Sequence, residues 1–531
     1  MMEKIEVASE LGPDRLTRRE RATLFGWLEQ PVYREQEVPG YQGNPCIEAL
    51  PPIQTADDIA RLARYPDVRE EFRNAETQTR IHLTFDAIEG YWQTFPIHLT
   101  AAQRLGIQIR SGLTGRNPLT ARFWQENAAL AAAVADGSLT RRPPTGKAPG
   151  LLIYGDSGNG KSEALRNILG TYNQVIKHRD YHGVPLHLDQ LVYLHLECPK
   201  DGSLIELCRQ FFREVDRRLG TRYFSMYVRN NKTTDHLLGD LVLVARNHAL
   251  GLLAIDEIQH LLQAPQRGKV ALNFLVTLIN YIGLPVTLVG TPAAMALFSK
   301  ELRLGRRLSK MGDLPWPRMR YAVKEPDAED DWNLLLDGLE QYQYTKYPAV
   351  LTPPLREALY WGCQGITEIA VNLFFCVQRH LIEEEERPGG DTEWTPALVR
   401  WLAFKDFTVA RPGLAALRAE DAQEIARQGD IMPLPPPRFD PGWAAPGPAD
   451  TVDTTGTTAA KKTAAKKVPA AKKISAAKQT PPAKKPRTAK QAPVPGDGLS
   501  IAISEGAERG LGTHAALVAG GMMRPLLEVE E

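Results

Sequence analysis

The stretch IYGDSGNGKSEAL, residues 153–165, constrains this chain more than any other part of it. It contains the pattern G-x-x-x-x-G-K-[ST] between an apolar run, LLIYG, and a segment with helical composition. Glycines in such a loop let backbone N–H groups converge on anionic oxygens, and the helix that follows directs its positive end at them. The sequence therefore predicts a loop that binds the phosphates of a nucleotide.

The chemistry of the loop residues indicates their roles. Lys161 would reach the β- and γ-phosphate oxygens of ATP, and the hydroxyl of Ser162 would ligate Mg²⁺. A chance glycine-rich turn is the alternative, but the pattern lies between a strand and a helix, where this chemistry requires it. The predicted nucleotide contacts are Gly155, Asp156, Ser157, Gly158, Asn159, Gly160, Lys161 and Ser162.

A second motif, LLAIDE, ends in two carboxylates. Asp256 would join Ser162 as a ligand of Mg²⁺, and Glu257 would polarise the attacking water. The alternative is that two acids end a buried strand without a chemical role. Because the phosphate-binding loop precedes them, the pair favours hydrolysis over binding alone. We therefore expect an ATPase that uses ATP and Mg²⁺.

Two further features would complete a hydrolytic site. VTLVGTP ends an apolar run at Thr291, whose hydroxyl would reach the γ-phosphate or the water if its strand lies beside the one leading to Lys161. ELRLGRRLSK carries Arg306 and Arg307, and we favour Arg307 slightly. Either arginine would couple hydrolysis to assembly by reaching the γ-phosphate of a neighbouring subunit. A structural threonine and a solvated basic helix are the alternatives.

Apolar runs and helical patterns alternate through the middle of the chain, which is typical of a parallel sheet with crossover helices. A mostly helical region is expected over residues 326–385. The predicted strands are 151–155, 190–197, 251–257 and 285–291. The predicted helices are 59–79, 120–135, 162–172, 203–219, 235–250, 269–282, 352–363 and 366–384.

Composition divides the chain into five regions. The Lys/Ala/Pro-rich stretch near the C-terminus cannot bury enough apolar surface to fold alone, so we expect a disordered tail there. The regions are an N-terminal extension (1–90), a sheet domain with its lead-in (91–325), a helical lid with following helices (326–430), a Pro-rich linker with the basic tail (431–498), and a short docking segment (499–531).

The net charge of +1 conceals an uneven distribution. Residues 461–490 carry eleven of the 64 basic residues and no Asp or Glu, so acids outnumber bases by ten in the rest of the chain. A basic tail on an acidic body favours a partner with a phosphate backbone, bound without sequence specificity. A solubilising linker is the alternative.

Several features bear on the location of the protein. No apolar run is long enough to span a membrane, and the first residues lack the apolar core of a secretory signal. The five cysteines form no CxxC pair, which favours a reducing compartment. We therefore expect a cytoplasmic protein that has no membrane partner.

The stretch VRNNKTTDHL precedes the helix predicted over 235–250. Its basic and hydroxyl side chains suit contact with a phosphodiester, and so do the N–H groups at a helix start. The alternative is an ordinary N-cap formed by Thr234 or Asp235, and the residues alone favour that alternative. The candidate DNA contacts are Arg229, Lys232, Thr233 and Thr234.

One combination of segments resembles a known family. ECPKDGSLIELCRQFFREVDRRLG lies between the GDSGNGKS loop and LLAIDEIQHL, and VTLVGTP follows. This order resembles the TnsC/TniB group of AAA+ transposition regulators, and GRNP at 115–118 and the extensions at both ends resemble its larger TnsC members. The resemblance covers about residues 90–385. The nucleotide motifs are generic to AAA+ proteins, whereas ECPKDGS and its helix are more specific.

The resemblance implies a fold and a function. The expected fold is an AAA+ P-loop domain with a small helical lid. Such proteins bind ATP, assemble into rings or filaments on double-stranded DNA, and recruit transposase subunits of the TnsA/TnsB type. The target is chosen by a selector of the TnsD/TniQ type, which is expected to dock on the N-terminal extension, with transposase docking on the C-terminal side.

The resemblance also bears on individual residues. It shifts the balance at Lys232, Thr233 and Thr234 towards contact with the DNA backbone. YWGCQGITEIA (360–370) departs from the pattern, because it has no clear second-sensor arginine. An AAA+ helicase loader or replication initiator remains the alternative function. The residues that match the nucleotide positions of the family are Lys161, Ser162, Asp256, Glu257 and Thr291.

Overall fold

The computed structural model describes most of the chain between Trp27 and Met432. The predicted tail and docking segment, most of the predicted helix over 269–282, and four candidate site residues (Arg229, Lys232, Arg306 and Arg307) lie outside the described residues. The described residues are 27–137, 148–228, 233–262, 270–271, 274–275, 278, 283–295, 309–321 and 330–432.

The main sheet has five parallel strands in the order β5-β6-β7-β2-β8. The carboxyl ends of parallel strands meet at one edge, so the residues that follow β2, β6 and β7 lie together there. This confirms the predicted parallel sheet with crossover helices. The described strands are β1 (Trp27–Leu28), β2 (Gly150–Gly155), β3 (Val175–Tyr181), β4 (Val184–Leu191), β5 (Tyr193–Glu197), β6 (Leu252–Asp256), β7 (Val286–Gly290) and β8 (Leu314–Trp316).

Helices flank this sheet and form a separate layer after residue 330. None of the described helices is both long enough and apolar enough to cross a membrane. The described α-helices are α1 (Pro45–Glu48), α2 (Ala56–Ala60), α3 (Glu70–Arg73), α4 (Thr77–Gly90), α5 (Pro96–Thr114), α6 (Ala121–Ala135), α7 (Lys161–Leu169), α8 (Leu204–Leu219), α9 (Tyr223–Tyr227), α10 (Thr234–Asn247), α11 (Asp331–Glu340), α12 (Pro353–Cys363), α13 (Thr367–Glu384), α14 (Pro396–Asp406), α15 (Arg411–Arg418) and α16 (Ala422–Gln428).

A hairpin of β3 and β4 precedes β5, and the sequence analysis did not predict it. His182 and Gly183 adopt positive φ angles of 49° and 82° at its tip, as a two-residue hairpin turn requires. β1 pairs with β3 to complete a second, three-stranded sheet. The single strand predicted over 190–197 was wrong, because β4 ends at Leu191 and β5, in the other sheet, begins at Tyr193.

The helix predicted over 59–79 was also wrong. α2 ends at Ala60, α3 covers only four residues, and α4 begins at Thr77. Pro66 lies between α2 and α3, and the residue before a proline is disfavoured in the α-helical conformation. A proline therefore interrupts what composition alone suggested was one charged helix.

α8 shows how the sequence specifies a buried helix. The hydroxyl of Ser203 accepts a hydrogen bond from the N–H of Glu206 at 3.3 Å and caps its start, and Gly220 ends it with a φ of 73°. Burying each large apolar side chain stabilises the fold by roughly 1.5–3 kcal/mol. The buried residues of α8 recur at helical spacing and form one face: Leu204, Leu207, Cys208, Phe211, Phe212, Val215 and Leu219.

The helical domain, α11 to α14 together with α4, has its own apolar core. Trp332, Phe374 and Phe375 are fully buried in it. α4 precedes the sheet domain in sequence but packs against α13, where Arg80 forms a buried ion pair of 2.5 Å with Glu385. Residues before the parallel sheet therefore build part of the helical domain.

Candidate nucleotide site

A cavity of about 1130 Å³ lies where the carboxyl edge of the parallel sheet faces the helical domain. Residues 157–162 line it from the loop after β2, and Glu257 and Thr291 line it from the ends of β6 and β7. Thr367 and Glu368 line it from the start of α13. A ligand in this cavity would therefore contact the sheet domain and the helical domain together.

Glycine is required at three positions of the loop for different structural reasons. Gly158 and Gly160 adopt positive φ angles of 79° and 73°, which glycine reaches without strain. Gly155 packs so closely on β8 that a Cβ there would lie 1.9 Å from the carbonyl oxygen of Trp316. Gly160 immediately precedes α7, so the N-terminal N–H groups of that helix open towards the loop, as anion binding requires.

Lys161 is buried at the start of α7. Its Nζ donates hydrogen bonds to the carbonyls of Gly155 at 2.8 Å and Asp156 at 2.7 Å. Burial lowers the pKa of Lys161, and the carboxylates of Asp156 and Asp256 oppose that shift. The side chain therefore lies within the loop and also lines the cavity, where a phosphate oxygen would meet it.

Asp256 ends β6 and is held by several donors. Its Oδ1 accepts the N–H of Glu257 at 2.8 Å, its Oδ2 lies 3.5 Å from Nε2 of His195, and the hydroxyl of Ser162 bonds to the carboxylate. Burial alone would raise the pKa of Asp256, but these hydrogen bonds outweigh it and lower the pKa. A charged carboxylate beside a hydroxyl is the oxygen-donor chemistry that Mg²⁺ prefers.

Glu257 turns away from Asp256 and into the cavity. Its φ of 54° is the left-handed conformation, which costs a residue other than glycine conformational energy. The carboxylate of Glu257 accepts a hydrogen bond from Nε2 of Gln259. Two consecutive acids thus take different positions: Asp256 lies against Ser162, whereas Glu257 lines the space where a water would attack.

Thr291 follows β7, which pairs directly with β2, as predicted. Its N–H donates to Oε1 of Gln259 at 3.2 Å. The side chain is buried and lines the cavity, yet its hydroxyl has no hydrogen-bond partner among the described residues. A buried hydroxyl without a partner is costly, so this group fits a ligand oxygen or a water in the cavity.

One wall of the cavity is aromatic, and the sequence analysis missed it. His98 is buried, stacks against Trp92 with ring centroids 5.0 Å apart, and packs at a tilt against Trp316 with centroids 5.3 Å apart. Its Nδ1 accepts the N–H of Phe95 at 2.9 Å, and burial lowers the pKa of His98 to about 4, so the ring is neutral. Such a wall suits a planar base. The only sequence signal was the aromatic run YWQTFPIH.

Two arginines that the sequence analysis did not single out also line the cavity. Arg318 and Arg320 come from PWPRMRY, the stretch that begins at the end of β8. α13 begins beside the loop, and the N–H of Glu368 donates to the carbonyl of Gly158 at 3.0 Å. The helical domain thus places the carboxylate of Glu368 beside the loop, and the two arginines follow β8.

Comparison with known families agrees with this geometry. Residues 145–298 match the family model described as an AAA domain, and they include the loop, both acids and Thr291. This is an AAA+ ATPase domain. No curated protein matches the chain at a significant level.

Several solved structures show a weak likeness to this chain. The Orc1 protein of Aeropyrum pernix, solved in complex with DNA, has 15% identity and a TM-score of 0.32 over 57% of this chain and 70% of its own. A Walker-type ATPase of Pyrococcus abyssi has 12% identity and a TM-score of 0.33, over 57% and 77% of the two chains. Cdc6p of Pyrobaculum aerophilum has 14% identity and a TM-score of 0.31, over 55% and 68%. These likenesses assign no partner or substrate.

Asp156, a predicted nucleotide contact, does not line the cavity of the AAA+ domain. Its buried carboxylate accepts the N–H of Met432 at 2.6 Å and lies 3.8 Å from Nη1 of Arg318. The next residue, Ser157, donates its N–H to the carbonyl of Asp430 at 3.0 Å. The segment after α16 therefore contacts the start of the GDSGNGKS loop, and Asp156 joins the two.

The burial of the Asp156 carboxyl is expected to lower the free energy of unfolding in a pH-dependent way. Burial raises the pKa of Asp156 to about 6, although Arg318 acts to lower it. An acid whose pKa is raised by folding destabilises the folded state when it is ionised, here by roughly 3 kcal/mol at most above pH 6. The amide of Asp156→Asn still accepts the Met432 N–H, so we expect this variant to be more stable than the wild type by about 1–3 kcal/mol at pH 8.

Urea unfolding at pH 8 and pH 5 measures this effect, with the exposed Asp57→Asn as control. The advantage of Asp156→Asn should shrink as the pH falls through 6, because the wild-type carboxyl is then protonated in the folded state. An advantage that is equal at both pH values, or absent at pH 8, would show that Asp156 is not held in this environment.

The two described candidates for DNA contact, Thr233 and Thr234, lie at the start of α10. α10 begins at Thr234, and its N-cap is Thr233. The predicted cap at Thr234 or Asp235 was therefore wrong. The hydroxyl of Thr233 lies 2.7 Å from Nδ1 of His236, where it makes no cap to the helix backbone, and Thr233 is exposed.

The ECPKDGS segment, residues 197–203, contacts the end of β6. The N–H of Cys198 donates to the backbone carbonyl of Asp256 at 2.9 Å. Gly202 lies so close to the chain after the acids that a Cβ there would be 2.8 Å from the carbonyl oxygen of His260. The part of the sequence with the most specific resemblance therefore packs directly beside the two acids of the AAA+ domain.

Proposed function

We propose that this ATPase is a DNA-binding regulator of transposition. It would assemble on duplex DNA and recruit a transposase of the TnsA/TnsB type to a site chosen by a TnsD/TniQ-type selector. The observation that carries the proposal is the position of ECPKDGS, which resembles TnsC/TniB proteins and hydrogen-bonds to the carbonyl of Asp256. That contact would let events on the DNA-binding side reach the hydrolytic acids.

The residues that line the cavity, together with Asp256 behind Ser162, fit ATP and Mg²⁺. Lys161 would bind the phosphate oxygens, and the oxygens of Ser162 and Asp256 would hold Mg²⁺. Bound there, Mg²⁺ would neutralise charge on the β- and γ-phosphates. Glu257 would orient the attacking water and accept its proton, and the unpartnered hydroxyl of Thr291 would donate to the γ-phosphate or to that water.

ATP would act as a switch of assembly. The cavity is lined by both the sheet domain and the helical domain, so bound nucleotide would fix one arrangement of the two. We propose that Arg306 or Arg307 of one subunit reaches the γ-phosphate held by its neighbour. ATP would then bind the assembled state more tightly than the free subunit, which is the condition for shifting the population towards assembly.

The DNA-binding side would lie at the start of α10. Thr233 is exposed there, and we propose that it contacts the phosphate backbone together with Thr234, Lys232 and Arg229. α10 packs against α8, and α8 begins directly after ECPKDGS. Two packed helices and one loop therefore connect the proposed DNA contact with Asp256. The basic run 461–490 would add affinity without sequence specificity.

Duplex binding tests this proposal. With a non-hydrolysable ATP analogue, we expect the fluorescence anisotropy of labelled duplex DNA to rise at lower protein concentration than with ADP. Lys232→Ala should weaken binding alike for unrelated duplexes and reduce the slope of log affinity against log salt by about one. The exposed Lys346→Ala is the matched control and should bind as the wild type does.

Two outcomes would count against the proposal. Affinity for duplex that does not depend on the nucleotide would contradict the switch, and an unchanged salt slope in Lys232→Ala would remove this residue from the DNA contact. Preference for single-stranded DNA, together with binding to a replicative helicase, would favour a helicase loader instead.

A further inference from the structure

His195 lies on β5, the strand beside the one that ends in Asp256. β5 and β6 are parallel, and His195 is opposite Ala254, two residues before Asp256. Side chains alternate between the two faces of a strand, and Leu194 and Leu196 pack in the apolar core on one face. His195 therefore points to the opposite face, and its ring reaches diagonally to Asp256.

The contact is specific in its atoms. Nε2 of His195 lies 3.5 Å from Oδ2 of Asp256, and the two side chains are only 23% and 7% exposed. At this distance the approach is at the outer limit of a hydrogen bond, and the nitrogen has no hydrogen-bond partner among the described residues. The other carboxylate oxygen, Oδ1, accepts the N–H of Glu257 at 2.8 Å. Each oxygen of Asp256 thus has its own nitrogen neighbour.

We propose that His195 is a positioning residue that fixes the rotation of the Asp256 carboxylate and thereby sets the affinity of the nucleotide site for Mg²⁺. The proposal rests on the proposed Mg²⁺ role of Ser162 and Asp256. Groups that hydrogen-bond to a ligating side chain orient it before the metal arrives, and their loss typically lowers metal affinity about 10- to 100-fold. Without His195, the carboxylate keeps its hydrogen bonds with the Glu257 amide and the Ser162 hydroxyl.

A packing role is the alternative, and two variants distinguish it. His195→Phe keeps a ring of similar size, and His195→Leu introduces an apolar side chain that strands tolerate. Neither variant has a side-chain nitrogen. If His195 only fills space, at least the phenylalanine should behave as the wild type does. If its nitrogen positions Asp256, both variants should lose Mg²⁺ affinity, and His195→Gln, which keeps an N–H donor, should recover part of it.

The measurement is the binding of a fluorescent ATP analogue, mant-ATP, at a series of Mg²⁺ concentrations and in EDTA. We expect the Mg²⁺ concentration that gives half of the full enhancement of binding to rise about 10-fold or more in His195→Phe. Affinity in EDTA should not change, because His195 is not among the residues that line the cavity. His187→Phe, an exposed histidine on β4, is the matched control.

The variants also separate this inference from the proposal on which it rests. Asp256→Asn should shift the Mg²⁺ dependence at least as far as His195→Phe does, and no shift in Asp256→Asn would remove the Mg²⁺ role itself. If Asp256→Asn shifts the Mg²⁺ dependence but a folded His195→Phe or His195→Leu variant keeps the wild-type dependence, the role of His195 alone is overturned. Circular dichroism melting shows which variants are folded, so a variant that fails to fold leaves the other to decide.

Discussion

Glu257→Gln is expected to lower the rate of ATP hydrolysis by at least about 100-fold while leaving ATP binding intact. General-base catalysis by a positioned carboxylate typically contributes 10²–10⁴-fold, and an amide cannot accept the proton of the attacking water. The substitution keeps the size of the side chain. The carbonyl of the new amide can also still accept the hydrogen bond from Gln259. We therefore expect the chemistry to stop without a change in the cavity.

Phosphate release under saturating ATP measures the hydrolysis, and mant-ATP fluorescence measures the binding. Glu393→Gln, an exposed carboxylate in the loop before α14, is the matched control and should hydrolyse ATP as the wild type does. If Glu257→Gln kept more than a tenth of the wild-type rate, the base would have to be another group. Loss of ATP binding in this variant would place Glu257 in a binding role.

The second large effect is expected from Lys161→Ala. Hydrogen bonds that involve a charged group contribute about 1.5–3 kcal/mol, so loss of the ammonium should weaken ATP binding by about one to two orders of magnitude. The variant also leaves the carbonyls of Gly155 and Asp156 without their donor, which loosens the loop. Hydrolysis and nucleotide-dependent assembly should be lost together.

Titration calorimetry with a non-hydrolysable ATP analogue measures this affinity. Lys346→Ala removes an exposed ammonium outside the cavity and serves as control. ATP affinity within threefold of the wild type in Lys161→Ala would contradict the assignment of GDSGNGKS as the phosphate-binding loop of the AAA+ domain.

The fold could be predicted from the sequence where the local residue pattern matches the burial of that segment in the folded protein. The parallel strands are apolar runs, and α8 carries apolar residues at helical spacing, so each element follows from its own residues. The β3–β4 hairpin was missed because its inward-facing positions include a polar pair. His178 and Gln190 are fully buried and joined by a hydrogen bond of 2.8 Å, so polar residues occupy core positions and obscure the alternation.

The candidate site was likewise predictable only in part. The loop, the two acids and Thr291 lie in short motifs whose spacing predicts their chemistry. The hydrogen bond between Asp156 and Met432 joins residues 276 positions apart, and the aromatic wall packs His98 against Trp316 from β8. Such contacts depend on how distant elements pack, so periodicity and motif carry no signal for them.

Electron microscopy of the protein on long duplex DNA tests the central claim most directly, which is that ATP in this cavity drives assembly on DNA. The comparison uses a non-hydrolysable ATP analogue, ADP and no nucleotide, with Lys161→Ala in each state. The account predicts rings or filaments on duplex with the ATP analogue only, and none with Lys161→Ala. Subunits that stay unassembled on duplex in every nucleotide state, or assemblies that form equally well with Lys161→Ala, would contradict it.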